Sequence, residues 1–168
     1  DEQSGMGPLA TAAHKEKVLG YIDKGLEEGA DLVMDGRDFK VDEYPNGFFV
    51  GPTLFDNVKS DMTIAREEIF GPVVSVVRAK DLDEVIDLIN TRGFANAACI
   101  YTNDGATARE FKYRVIPSMV GINIGIAAPM SFFPFGGSGN SMYGDTKAHG
   151  QEIFNFFTDT KVVIQRWF

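Results

Sequence analysis

Val73-Val74-Ser75-Val76-Val77-Arg78, followed by Asp81-Leu82-Asp83-Glu84-Val85-Ile86-Asp87-Leu88-Ile89 and then Ala97-Ala98-Cys99-Ile100-Tyr101-Thr102, is the stretch that decides the fold. The first run is short, apolar and β-branched, as a buried strand requires. Asp81 then offers a side-chain cap to a helix, and Glu84 stands where a capping box would return the bond. Leu82, Val85, Ile86 and Ile89 recur at helical spacing, and Gly93 ends the helix. Residues 97–102 form the next strand, and Asn103-Asp104-Gly105 turns the chain. Ala108, Phe111 and Val115 line a second helix, and Met119 to Ile124 is a third strand. Strand, helix, strand, helix, strand predicts an α/β fold with a parallel sheet and right-handed crossovers. Such sheets bind ligands beyond the carboxyl ends of their strands, so the long loop after Ile124 is a candidate site.

Upstream, residues 12–28 read as an amphipathic helix. Val18, Ile22 and Leu26 recur every four residues with Leu19 beside them; Thr11 can cap the start and Gly29 the end. Asp31-Leu32-Val33-Met34 reads as a strand stopped by Asp35-Gly36, and Pro45-Asn46-Gly47 is a turn. Phe48 to Phe55 is a second extended run, interrupted by Gly51-Pro52. Downstream, residues 125–145 are a loop rich in Gly, Pro, Phe and Met. A short helix around 147–157 follows, and Thr158 to Trp167 reads as a last strand.

The 168 residues are 44% hydrophobic and include 14 Phe, enough for a globular domain with a core. A net charge of −8 disfavours nucleic acid and anionic membranes as partners. No apolar run is long enough for a membrane span. The start, Asp1-Glu2-Gln3-Ser4, has neither the basic nor the apolar part of a leader, and the lack of an initial Met points to a cut or shortened chain. Cys99 is the one cysteine, so no intramolecular disulfide is expected, and its apolar run predicts a buried, inert thiol. His14 and His149 lie apart with no ligand cluster, so no metal site is expected.

Three motifs carry competing readings. Gly136-Gly137-Ser138-Gly139 lacks the continuation of a phosphate loop, and Asn140 breaks the Gly-x-Ser-x-Gly pattern of a hydrolase nucleophile, which leaves a flexible loop as the alternative. Glu67-Glu68 can be a solvated face. Beside Ile69-Phe70-Gly71-Pro72, however, a carboxylate on a fixed corner can accept hydrogen bonds from a sugar diol. Phe132-Phe133-Pro134-Phe135 is either core or the wall of an apolar pocket.

Residues 62–73, Met-Thr-Ile-Ala-Arg-Glu-Glu-Ile-Phe-Gly-Pro-Val, resemble the Glu-Glu-x-Phe-Gly-Pro signature of the aldehyde dehydrogenase superfamily. Phe135-Gly136-Gly137 resembles its late Pro-Phe-Gly-Gly motif. Gly5-Met6-Gly7-Pro8-Leu9 and Phe49-Val50-Gly51-Pro52-Thr53-Leu54 fall in the family's order. The similarity runs from about Gly7 to Trp167. Gly121 to Phe135, Tyr143-Gly144-Asp145 and Phe157-Thr158-Asp159-Thr160-Lys161 are similar to the methylmalonate-semialdehyde dehydrogenase branch.

The resemblance implies that residues 1–157 are the C-terminal part of a catalytic domain and that 158–168 are an oligomerisation strand, giving a homodimer or homotetramer. It implies NAD as cofactor, with Glu68 holding the nicotinamide-ribose hydroxyls and Phe70 packing beside the nicotinamide. Phe135, Ile124 and Pro129 would shape the substrate pocket. It implies a semialdehyde substrate, attacked by a Cys thiolate, with hydride passing to NAD and coenzyme A resolving the thioacyl group with loss of carbon dioxide. The nucleophile and general base would lie before Asp1, so no catalytic residue is expected within this chain, and Cys99 aligns with an ordinary strand residue. The location implied is cytoplasmic, or the mitochondrial matrix in a eukaryote. At Gly139 the family usually carries Lys or Arg, which puts the charge contact of that loop in question.

Overall fold

The computed structural model describes residues 5–168, so the leader reading of Asp1–Ser4 lies outside the described residues. The chain divides into two compact units, the first running to Ala79 and the second spanning Lys80–Phe168. Each has its own hydrophobic cluster.

In the first unit, helix α1 spans Ala12–Glu27. The Thr11 hydroxyl accepts the His14 N–H at 3.1 Å, satisfying one of the orphan donors of the first turn. Gly29, at φ 86°, stops the helix. Its N–H donates to the Leu26 carbonyl, and the Ala30 N–H donates to Gly25, both at 3.0 Å. That pair of bonds is a Schellman termination.

The buried stripe of α1 is Val18, Ile22 and Gly25, and Leu26, expected on the core face, is 40% exposed. Gly25 explains the difference. A Cβ there would come within 2.9 Å of Ile64 Cδ1 and 3.0 Å of Phe55 Cζ, so the helix makes its closest approach to the core at a residue without a side chain. Leu26, one position on, is turned away by the helical rotation.

Strands β1 (Asp31–Met34), β2 (Thr53–Asp56) and β3 (Val73–Ser75) form one sheet in the order β1-β2-β3. β1 pairs antiparallel with β2, and β2 pairs parallel with β3. β2 starts at Thr53 rather than Phe48. Pro52 has no N–H for a ladder, and Gly51 instead closes on Gly36, donating its N–H to the Gly36 carbonyl at 2.8 Å. The hydroxyl of buried Thr53 accepts the Gly36 N–H at 3.0 Å, which holds the crossing. Helix α2 (Thr63–Arg66), not anticipated from the sequence, lies within the β2-to-β3 crossover. Phe55, Val58, Met62, Ile64 and Ile69 join Val18 and Ile22 in the core.

In the second unit, α3 (Leu82–Thr91) buries Ile86, with Leu82, Val85 and Ile89 packed beside it. Asp81 accepts the Glu84 N–H at 2.9 Å. Glu84 reaches back as expected but accepts from Lys80 N–H, one residue before the cap. Strand β4 is Phe94–Ala95 and β5 is Ala97–Ile100. After α4 (Gly105–Arg114), β6 (Met119–Ile122) pairs parallel with β5 from Ala97↔Met119 to Ile100↔Ile122. Asp104 caps α4 by accepting the Thr107 N–H at 2.7 Å. Phe111 and Val115 seal the core beneath β5 and β6 as the pattern predicts.

The mixed α/β class with parallel strand pairs stands. The expected three-strand ladder through 73–78, 97–102 and 119–124 is not found among the described residues: β3 is laddered to β2, and β5 and β6 form the expected pair. Periodicity identifies strands but carries no information about which neighbour each one finds. The partner of β3 lies on its N-terminal side, across α2.

Strand β7 (Ser138–Gly139) pairs antiparallel with β4, and α5 spans Glu152–Phe157. Residues 158–168, read as a strand, have no ladder partner among the described residues. Their apolar side chains are exposed, Ile164 at 95% and Trp167 at 85%. No helix among the described residues is long and apolar enough to cross a membrane.

Candidate functional site

The segment 64–71 lies along one stripe of α1, formed by His14, Val18, Tyr21 and Gly25 at spacings of four, three and four. These residues share a helix face because their spacing follows the 3.6-residue turn. Running toward the N-terminus of α1, Gly25 meets Ile64, Tyr21 meets Glu67, Val18 meets Gly71, and His14 meets Phe70. The Tyr21 hydroxyl donates to Glu67 Oε2 at 2.7 Å. That hydrogen bond to Glu67 is the main reason the Tyr21 phenol is held above its usual pKa, with burial and the carboxylate charge adding to it. Gly71 has no side chain because Val18 fills its space: a Cβ would lie 2.7 Å from Val18 Cγ2.

Glu67 and Glu68 are thereby separated in role. Glu67 is tied to α1, whereas Glu68 is exposed and its side chain has no hydrogen-bond partner among the described residues. Two positions on, Phe70 sits at φ 58°, a left-handed conformation that costs a bulky residue of order 1–3 kcal/mol. Three features hold it there. His14 Nε2–H donates to the Phe70 carbonyl at 2.7 Å. The two rings meet edge-on at 6.4 Å. Ile69, the residue before, is buried. The result is a Phe70 ring that is 77% exposed on a fixed backbone. Beside it opens a shallow, largely apolar cavity of about 470 Å³, walled by Met6, Leu9, Val50 and Pro72. A free carboxylate and an exposed ring two residues apart offer one acceptor for hydroxyls and one flat apolar face.

In the second unit, the loop after β6 starts at Asn123, at φ 57°. Its side chain clasps Thr102, accepting from the N–H at 2.8 Å and donating to the carbonyl at 3.0 Å. Asn tolerates this conformation better than most residues because its short polar side chain bonds locally. Ile124 is exposed and Pro129 half-buried. Phe132 and Phe133 are exposed at 65% and 54%, and Phe135 at 36%, so the aromatic cluster is not core. Phe135 is fixed by a two-way backbone bridge to Ala148, at 2.7 and 2.9 Å, and its ring lies 5.4 Å from that of His149.

Gly136-Gly137-Ser138-Gly139 is held rather than loose, which corrects the flexible-loop reading. Ser138 and Gly139 ladder with Ala95 and Phe94. The Ser118 hydroxyl donates to the Gly136 carbonyl, and Lys147 Nζ donates to Gly137. A lysine thus does reach this loop, from position 147 rather than 139. The glycines are needed because Ser141 backs directly onto Gly137, leaving 2.7 Å for a Cβ. Cys99 is half-buried on β5, less covered than expected, with Sγ 3.8 Å from the Gly125 carbonyl. Among the described residues no group of three or more His, Cys, Asp or Glu could hold a metal ion.

The expected site residues therefore fall in two places. Glu68 and Phe70 share a corner of the first unit; Ile124, Pro129 and Phe135 share the loop of the second. Tyr21 and His14 were not foreseen. Their signal was present in the stripe of α1, but it is interleaved with the apolar stripe that dominates the helical pattern.

The Glu-Glu-Ile-Phe-Gly-Pro corner of the first unit and the Phe-Gly-Gly loop of the second thus stand on a mixed α/β fold with parallel strand pairs. The aldehyde dehydrogenase family model matches residues 1–163, and the chain belongs to that family. It is 48% identical over 168 residues to malonate-semialdehyde dehydrogenase 1 of Oceanobacillus iheyensis, covering all of this chain and 34% of that protein. It superposes with a TM-score of 0.96 on the crystal structure of methylmalonate-semialdehyde dehydrogenase from Oceanimonas doudoroffii, at 45% identity, covering 99% of this chain and 34% of that one. It also superposes on a Mycobacterium tuberculosis aldehyde dehydrogenase complexed with NAD+, with a TM-score of 0.84 and 34% identity, over 95% of this chain and 32% of that one. The chain spans about a third of the length of the curated relatives it matches.

Proposed function

We propose that residues 1–157 are the C-terminal part of the catalytic domain of an NAD-dependent aldehyde dehydrogenase acting on malonate or methylmalonate semialdehyde, and that 158–168 are its assembly strand. In that enzyme NAD is the hydride acceptor. Coenzyme A as acyl acceptor, release of carbon dioxide, a homodimeric or homotetrameric state and a cytoplasmic or mitochondrial-matrix location are part of the same proposal. The nucleophile is assigned to sequence outside residues 1–168, because Cys99 is the one cysteine here and its Sγ faces the Gly125 backbone carbonyl in the loop after β6.

The observation that carries the reading is the Glu68–Phe70 corner. Glu68 presents a carboxylate with no partner among the described residues, able to accept charge-assisted hydrogen bonds from the vicinal hydroxyls of a ribose. Phe70 presents its ring beside an apolar cavity, able to pack against a flat heterocycle. Both stand on backbone fixed by α1, so their placement is pre-organised. Support for the substrate class comes from the relatives named malonate- and methylmalonate-semialdehyde dehydrogenase. Ile124, Pro129 and Phe135 are assigned to the substrate side.

Glu68→Gln in the full-length enzyme tests the reading. Gln keeps the shape and loses the charge, so alignment of the ribose should weaken and single-turnover hydride transfer should slow by about tenfold or more. Unchanged hydride transfer with methylmalonate semialdehyde would refute the assignment.

The exposed apolar tail favours a second reading, a non-catalytic module that retains the assembly surface. The two separate on whether the upstream sequence encodes a reactive cysteine and a dinucleotide domain.

A further inference from the structure

Glu68 and Phe70 cannot hold their own positions. They belong to a corner of a few residues with a left-handed Phe, and such a conformation persists only where its surroundings over-determine it. The link beside Glu68 is Glu67, and its partner is Tyr21, on the third turn of α1. The flanking residues of that helix face are packed into the core: Val18 and Ile22 are fully buried, and Gly25 seats against Ile64 and Phe55. Tyr21 is therefore carried on a rigid rail. Its hydroxyl reaches the one carboxylate of the pair that the proposed cofactor contact leaves unused.

We propose that Tyr21, acting through Glu67, is a positioning residue for hydride transfer: its 2.7 Å hydrogen bond fixes the corner so that Glu68 and Phe70 are held ready for the cofactor. This rests on the functional reading given above. The role requires no contact of Tyr21 with cofactor or substrate. Tyr21 anchors Glu67, and Glu67 fixes the backbone from which the Glu68 carboxylate projects.

The bond joins a phenol O–H to a carboxyl oxygen at 2.7 Å, within the short range of O–H···O bonds. Removing it frees the Glu67 carboxylate to turn to solvent and releases one of the two side-chain hydrogen bonds between α1 and the corner among the described residues; the His14 bond to the Phe70 carbonyl and the Val18–Gly71 packing remain. Partial loosening is expected, short of the roughly 100-fold loss that a 1 Å misplacement can cause.

The experiment uses the full-length dehydrogenase with NAD and methylmalonate semialdehyde, unlabelled and deuterated at the aldehyde carbon. Tyr21→Phe retains the ring and its packing while deleting the hydroxyl. Single-turnover hydride transfer should slow by about tenfold, and the deuterium isotope effect on kcat should rise as hydride transfer becomes limiting. Glu67→Gln should give the same change, and the double variant should be no worse than either single one, because both remove one interaction. A purely structural role would lower the thermal midpoint without raising the isotope effect.

If Glu68→Gln slows hydride transfer but Tyr21→Phe leaves both rate and isotope effect at the parent values, the positioning role is overturned and the functional reading survives. Additive losses in the double variant overturn it as well. If Glu68→Gln itself has no effect, the functional reading fails and this inference fails with it.

Discussion

Glu28, the residue that closes α1, grips Thr63, the first residue of α2: one carboxylate oxygen accepts the Thr63 N–H at 2.6 Å and the other accepts its hydroxyl at 2.6 Å. Met62, at the N-cap of α2, has no side chain able to cap, so a carboxylate distant in sequence does that work. The negative charge also suits the positive end of a helix.

This grip makes a pH prediction. The Thr63 hydroxyl bond is the main cause holding the Glu28 pKa below its usual value; burial opposes it, and the Thr63 N–H and the Lys24 charge add to it. A depressed folded-state pKa means the stabilisation is fully present above the unfolded value, about 4.3, and is lost as pH falls through the lower folded value. Thermal midpoints of the parent and Glu28→Gln should differ at pH 7 and converge on acidification below about pH 4. A gap that stays constant across this range would show that the charge on Glu28 plays no part.

Close approach at Gly71 makes a packing prediction. A methyl group there would stand 2.7 Å from Val18 Cγ2 and 3.0 Å from Cγ1, and Val18 is fully buried with no room to withdraw. Gly71→Ala should destabilise by about 1–3 kcal/mol, the usual cost of overpacking. Val18→Ala alone should also destabilise, by leaving a cavity. In the double variant the new methyl occupies the space the valine vacated, so its loss should be smaller than the sum of the two. Denaturant titrations of the four proteins measure this, and simple additivity would mean the two residues do not share one space.

How much was legible in the sequence follows from what local pattern encodes. Thr11 and Asp81 cap their helices as read, because capping depends only on residues within a turn; Asp104, read only as part of a turn, also caps the helix that follows it. Phe111, Ile86 and Val18 are core because helical periodicity marks one face. Glu68 and Phe70 were singled out by a motif, and the structure leaves both exposed on a fixed corner. The long-range facts were not legible: that β3 pairs with β2, that Ser138 and Gly139 ladder with Ala95 and Phe94, or that Tyr21 meets Glu67. Each joins residues some 20 to 46 positions apart, and no spacing rule reaches that far. Leu26 was misplaced because Gly25, a residue without a side chain, takes the contact that a hydrophobic scale awards to leucine.

Residues 1–168 alone should form no NADH from methylmalonate semialdehyde and coenzyme A. A nucleophilic cysteine needs an electropositive, accessible setting. Cys99 instead lies half-buried on β5, with its Sγ toward the Gly125 carbonyl and within 2.8 Å of where a Cβ on Gly121 would sit. An NADH-forming turnover that vanishes in Cys99→Ala would contradict this and relocate the nucleophile to β5.

The same 168 residues should self-associate through their last segment. Val162, Val163, Ile164, Trp167 and Phe168 are each at least 71% exposed, and residues 158–168 have no ladder partner among the described residues. A β-rich segment with unpaired backbone groups is a template for pairing with another chain. An apolar surface of this extent is rarely left open to water. Lys161 and Arg166 limit uncontrolled stacking, since edge charges oppose it, and the Arg166 guanidinium lies 4.8 Å from the Phe168 ring, where it partly covers the tip. A discrete symmetric dimer or tetramer is therefore expected rather than fibres. Light scattering at one concentration should find that oligomer for residues 1–168 and a monomer for a chain ending at Asp159. Two monomers, or an oligomer that survives the truncation, would show that 158–168 is not the assembly element.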